Sequence, residues 1–198
     1  MPFRYPAAGR QRRHGPLGYA RVASFRPWLR DEFSFRCTYC LLREQWGRVQ
    51  ANYDLDHFVP VTDDPGREHD YDNLVYACAS CNAAKSYKRV HDRSYTLVEN
   101  EVVVHADGRI EAKTAAAQRL IEALGLDSDA NTEFRRTWID IVVLARRYDP
   151  DLYQRLMSYP DDLPDLLRLR PPGGNSRPEG VRQSCFMKRK QGELDATY

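Results

Sequence analysis

Four of the chain's five cysteines fall into two C-x-x-C pairs, Cys37-Thr38-Tyr39-Cys40 and Cys78-Ala79-Ser80-Cys81, with 37 residues between them. Paired spacing of this kind points to zinc before disulfides in a reducing compartment. Four thiolates complete a tetrahedral shell and leave no open position, so such a site is structural rather than catalytic. The enclosed segment has few apolar residues to bury, and a metal clip at its two ends offsets that shortage. Two incidental cysteine pairs in a chain so poor in cysteine would be a rare coincidence. Cys185 stands alone near the end.

The pattern around this clip predicts an α+β chain. Residues 1–26 read as a flexible basic arm, interrupted by Pro2, Pro6, Gly9, Gly15, Pro16 and Gly18. Pro27 opens a short helix. Val49 to Val61 reads as extended, and Thr62 to Asp72 as a polar loop with a turn at Asp63-Asp64-Pro65-Gly66. Leu74 to Ala77 is a short apolar run into the second cysteine pair, and Ala79 to Lys88 follows as helix. The middle of the chain is therefore strand, loop, strand, helix. From Tyr95 to Glu111 a hairpin is expected, turning at Asp107-Gly108. A helical stripe of Leu120, Ile121 and Leu124 stops at Gly125. Asn131/Thr132 is the expected cap of a longer helix with Phe134, Trp138, Ile139, Val142 and Val143 on its apolar side. Short helices follow between Pro150 and Leu169, and residues 171–198 read as a flexible basic tail. The organisation expected is thus a core unit over 27–95, a hairpin plus mainly helical extension over 96–170, and an arm and tail at 1–26 and 171–198.

Inside the clip lies Asp56-His57-Phe58-Val59-Pro60. After it come Asp72-Asn73-Leu74 and Cys81-Asn82-Ala83-Ala84-Lys85. Alone, an Asp-His pair is commonly the end of a surface strand, and an Asn before Leu is commonly a turn residue. Together and in order, these elements resemble the HNH endonuclease superfamily: an acidic-His pair before an apolar-Pro step, an Asn-Leu, then C-x-x-C-[HN]-x-x-K. The resemblance covers Pro27 to Lys88 and implies the ββα-metal fold, here a zinc-stapled nuclease core. It implies His57 as general base, Asp56 and Asn82 as ligands of a catalytic ion, and Asn73 as the residue that steadies the loop and the base. Cys37, Cys40, Cys78 and Cys81 would hold structural Zn²⁺. Where many members have His, this chain has Asn82, an H-N-N pattern. Asn coordinates through oxygen, which favours Mg²⁺ or Mn²⁺ over softer ions. Lys85 is a candidate phosphate contact by position, or else a solvated helix residue.

The net charge of +2 hides an asymmetry: residues 1–48 carry +7, residues 49–165 carry −9 and residues 166–198 carry +4. Basic ends around an acidic middle fit a protein that grips a polyanion with its periphery. Arg12 and Arg13 on the arm are the expected nucleic-acid contacts, with Lys188, Arg189 and Lys190 on the tail as further candidates. The expected partner is nucleic acid, foremost double-stranded DNA, with the C-terminal helices as an alternative docking surface for a protein. No apolar run approaches the roughly 20 residues that cross a bilayer, and the start lacks the apolar stretch of a secretory signal. A cytoplasmic protein is expected. By resemblance its length suits the free-standing bacterial or phage type, some of which act in restriction or phage defence. Two rival functions remain at this point: a zinc-ribbon module that binds without cutting, and a nuclease acting on RNA or single strands.

Overall fold

The computed structural model describes residues 2–9, 11–47, 52–86 and 96–198. Arg10, Val49, Lys88, His91 and Tyr95, which the sequence reading placed in the arm, the first strand, the end of the helix, no assigned role and the start of the hairpin, lie outside the described residues. The fold is α+β, with two small antiparallel sheets and several helices.

Helix α1 (Arg26–Glu32) has Pro27 in its first turn, where a missing N–H costs nothing. Strand β1 (Tyr53–His57) pairs antiparallel with β2 (Leu74–Cys78), in a register that sets Tyr53 opposite Cys78 and His57 opposite Leu74. One end of this ribbon therefore carries the second cysteine knuckle and the other carries His57 beside Asn73. All five residues of β2 are buried, as expected for a strand covered on both faces. β1 ends at His57, short of the extended run expected to reach Val61. Helix α2 (Ala79–Lys85) follows β2 directly and ends where Ser86 takes a positive φ of 48°. This is the strand, loop, strand, helix order read from the sequence.

The extension begins with a hairpin, β3 (Val102–Val104) and β4 (Ile110–Ala112), turning where Gly108 has φ 85°. Arg135 donates from Nε to the Gly108 carbonyl at 2.6 Å, so the turn is fixed from the helical side. Helix α3 (Ala115–Leu124) starts at a Thr114 cap and ends on left-handed Gly125. Helix α4 (Asp129–Tyr148) starts earlier than expected, its cap lying three residues before Asn131. Ser128 caps it, while Asn131 donates back to the Gly125 carbonyl at 2.7 Å. Its buried face runs through Arg135, Ile139, Val142 and Ala145. Val143, expected on that face, is more than half exposed, because it falls one position off the helical repeat. Trp138 stacks on Trp46 at 4.5 Å, joining α4 to the segment after the first knuckle. Helix α5 (Pro150–Met157) completes the extension. No helix among the described residues is long and apolar enough to cross a membrane.

The two ends depart from expectation. The arm is packed: Phe3, Tyr5 and His14 are buried, and the first two join the cluster that also holds Trp28, Tyr53 and Tyr76. The tail is packed as well, through α6 (Glu179–Arg182) and α7 (Cys185–Gln191). Arm and tail run against each other by backbone bonds, Leu17 N–H to Gly174 O and Gly173 N–H to Leu17 O, both 2.9 Å. Gly180 is required at this contact, since a Cβ there would sit 1.7 Å from the Arg13 carbonyl oxygen.

The anchor for both ends is a pair of buried carboxylates at the end of α1. Asp31 accepts from Arg13 Nη2, pairs with His14 Nε2 at 2.8 Å, and accepts the Cys185 N–H at 2.7 Å. Glu32 accepts the backbone N–H of Arg13 and of His14 and the hydroxyl of Tyr71. A buried carboxylate needs such partners, and here the chain's own basic ends supply them. Burial pushes the Asp31 carboxyl up, but the His14 hydrogen bond and the Arg13 charge outweigh it and leave the group below the usual range.

Candidate active site and zinc cluster

The four cysteines meet. Their sulfurs all lie within 4.8 Å of one another, and Cys40 and Cys78 are 3.7 Å apart. Tetrahedral zinc with Zn–S bonds of about 2.3 Å demands sulfurs about 3.8 Å apart, so this donor set fits the ion. The first knuckle is built by a tight turn in which Leu41 takes a φ of 61° and the Tyr39 N–H points at Cys37 Sγ. The second forms where β2 runs into α2. Hydrogen bonds from Cys37 and its neighbours drive the Cys78 thiol far down, while the same cluster pushes Cys40 and Cys81 up. Four crowded thiols cannot all ionise unaided, and a divalent cation removes that conflict.

At the opposite side of the ribbon, strand and helix periodicity set up two facing pairs. Asp54 and Asp56 are two apart on β1 and share a face. Asn82 and Lys85 are three apart on α2 and share a face. Asn82 Nδ2 donates to Asp54 Oδ2 at 3.0 Å, and Lys85 Nζ donates to Asp56 Oδ1 at 2.9 Å. Tyr39 donates its hydroxyl to Asp56 Oδ2 at 2.8 Å, linking the knuckle to the site. Burial pushes the Asp56 carboxyl up, and Lys85 and Tyr39 offset this only in part, so it titrates above an ordinary Asp.

Lys85 corrects an expectation. It is 1 % exposed and also donates to the His57 carbonyl at 2.6 Å, so it is neither a phosphate contact nor a solvated residue. A buried ammonium requires acceptors on all sides, and the end of β1 provides them. Arg12 and Arg13 correct another. Arg12 lies over the Phe33 and Tyr71 rings and donates to the carbonyls of Asp72 and Leu74. Arg13 is committed to Asp31 and Glu32. Arg12 and Arg13 are spent on the chain itself because α1 and the Asp72 turn offer them carboxylates and carbonyls at short range.

His57 is half-buried, and its Nε2 lies 2.9 Å from the Glu68 carbonyl. A carbonyl only accepts, so Nε2 carries the hydrogen and Nδ1 of the neutral ring keeps its lone pair. Asn73 holds the loop that supplies this carbonyl. Its Oδ1 accepts the Val59 N–H at 2.8 Å, and its Nδ2 donates to the Val59 and Arg67 carbonyls. The turn carrying Asn73 is braced in turn by Arg12 and by Arg177, which grips the Asp72 carboxylate with both guanidinium nitrogens. Asp56, His57 and Asn82 line one cleft of about 300 Å³, together with Leu55, Pro60 and Ser86. Asn82 has its amide nitrogen committed to Asp54, which leaves its carbonyl oxygen as the atom that could hold a cation. Asp56 and Asn82 thus offer the hard oxygen donors that Mg²⁺ or Mn²⁺ takes.

The other histidines among the described residues stay outside. His69 Nε2 bonds the Ala20 carbonyl, His105 pairs with Glu111, and His14 is buried in the carboxylate anchor. Tyr76 and Trp46 are packing residues with their polar ends used, on Glu44 and the Leu156 carbonyl. The sequence reading passed over Asp54, although the D-x-D alternation on β1 facing N-x-x-K on α2 carries its signal.

Residues 37–88 match the family model described as HNH endonuclease. This stretch, which runs from the first knuckle past α2, is similar to an HNH endonuclease domain and supports a nuclease-type reading of residues 37–88. No curated protein is significantly similar to the chain.

Proposed function

We propose that the protein is a metal-dependent endonuclease that hydrolyses phosphodiester bonds of double-stranded DNA, with a nuclease unit over 27–95 and the hairpin and helices of 96–170 as its extension. The observation that supports this most is the contact of His57 Nε2 with the Glu68 carbonyl at 2.9 Å. A carbonyl only accepts, so the hydrogen of a neutral imidazole sits on Nε2 and Nδ1 is the nitrogen that can take a proton from water. A module that only binds needs no such base, and it needs no hard-oxygen pair beside it. Asp56 and Asn82 hold the catalytic ion from β1 and α2. When bound, Mg²⁺ or Mn²⁺ supplies charge neutralisation at the phosphate and at the leaving oxygen. Lys85 keeps Asp56 in place rather than touching substrate, and Asn73 keeps the Glu68 carbonyl on the base. The four cysteines hold structural Zn²⁺.

Purified protein incubated with Mg²⁺ and duplex DNA, single-stranded DNA or RNA tests the substrate. Duplex cleavage that exceeds the other two supports the proposal. Cleavage of RNA or of single strands alone replaces the duplex with that substrate, and absence of cutting with every divalent ion leaves a binding module.

A further inference from the structure

Asp54 lies within residues 37–88 but outside the Asp56-His57, Asn73-Leu74 and C-x-x-C-N-x-x-K elements, and it faces the same helix. Its Oδ2 accepts Asn82 Nδ2 at 3.0 Å, one strand repeat before the Asp56–Lys85 contact. An amide side chain has two nearly isosteric orientations, one presenting oxygen and the other presenting NH₂. Only the first can ligate a cation. A carboxylate accepts and cannot donate, so a carboxylate at Asp54 Oδ2 permits only the orientation with Nδ2 toward it. Both side chains are half-buried, where a competing water is displaced more readily than on an open surface.

We infer that Asp54 is a positioning residue: its carboxylate fixes the Asn82 amide with the carbonyl oxygen toward the cleft, as the acceptor contacts of a ligand's neighbours do in metal sites generally. The role rests on the proposed function, in which Asn82 holds the catalytic ion.

Binding of Mn²⁺ to the full zinc-loaded chain, followed by electron paramagnetic resonance of the free ion, tests this without relying on cleavage. Asp54→Ala should weaken Mn²⁺ binding about 10- to 100-fold, with zinc content and Tm close to wild type. Asp54→Asn keeps the shape and a hydrogen bond but can donate as well as accept, so it no longer decides the flip. It should also weaken Mn²⁺ binding, by less than Asp54→Ala. Wild-type affinity in Asp54→Asn, which a merely structural contact would give, overturns the inference. Wild-type affinity in Asp54→Ala overturns the inference. Equal loss in both variants also overturns it, because charge rather than the amide's orientation would then be at work. Asp56→Asn separates this from the underlying reading. Mn²⁺ affinity that Asp56→Asn removes and Asp54→Ala does not sinks the Asp54 role alone. A wild-type chain with no Mn²⁺ affinity sinks both.

Discussion

The molecule is stapled twice, and the two staples differ in kind. At one, Cys37, Cys40, Cys78 and Cys81 bring their sulfurs within 4.8 Å of one another, a donor set that fits zinc. At the other, Asp31 and Glu32 gather Arg13, His14, Tyr71 and the Cys185 N–H around two buried carboxylates. The first ties the ends of the HNH segment together. The second ties the arm and the tail to α1, and through Arg12 and Arg177 it braces the Asp72–Leu74 turn that carries Asn73. A metal staple needs several identical ligands at short spacing, and a hydrogen-bonded one takes whatever donors the fold brings near.

The difference predicts different failures. Cys37→Ser, or removal of zinc by a chelator, should unfold the core outright. Structural zinc contributes about 10–16 kcal/mol in small domains, comparable to or above the whole stability of a typical domain. Far-ultraviolet circular dichroism with and without chelator reads this, and cooperative melting that persists without zinc would remove the metal staple from the account. Asp31→Asn should cost less, on the order of 3 kcal/mol, because it breaks a buried charge pair while leaving the core intact.

Asp31 also sets a pH dependence. Its folded-state carboxyl lies below the unfolded value, so its contribution is complete above the ordinary Asp range and fades as pH falls toward the folded value. Urea melts between about pH 6 and pH 3 should therefore show a steeper acid loss for wild type than for Asp31→Asn. Parallel curves would mean that Asp31 is not held ionised by the arm. Arg177→Ala is the smallest change expected, about 1 kcal/mol or less, because its pair with Asp72 is partly exposed. A Tm shift as large as that of Asp31→Asn would show that the two staples are one cooperative unit.

The same contrast explains what could be read in the sequence. Asp56-His57, Asn73 and Asn82 are ambiguous one by one, but in order and between the two cysteine pairs they sit at a spacing that resembles one fold, and the ββα order around them follows from it. The partners of those residues were not legible in the same way. The Glu68 carbonyl that sets the His57 tautomer is backbone, and any residue could supply it. Lys85 read as a phosphate contact or a solvated helix residue because a C-x-x-C-N-x-x-K string says nothing of the Asp opposite it. The +7 of the first 48 residues read as a grip on an external polyanion, but Arg12 and Arg13 meet internal acceptors from α1 and from the Asp72 turn. Charge counts carry no contacts. For the same reason Pro and Gly in the arm and tail suggested mobility, whereas Gly180 is there for a close approach to the Arg13 carbonyl.

The central claim is that His57, with Nδ1 left as the lone-pair nitrogen, is the base of a metal-dependent cut. A plasmid-nicking time course with Mg²⁺, on wild type and His57→Ala matched for zinc content and Tm, tests it most directly. The account predicts nicking by wild type and a loss of about 10²- to 10⁴-fold in His57→Ala. Equal rates for the two proteins, or no cutting by wild type under any divalent ion, would contradict it.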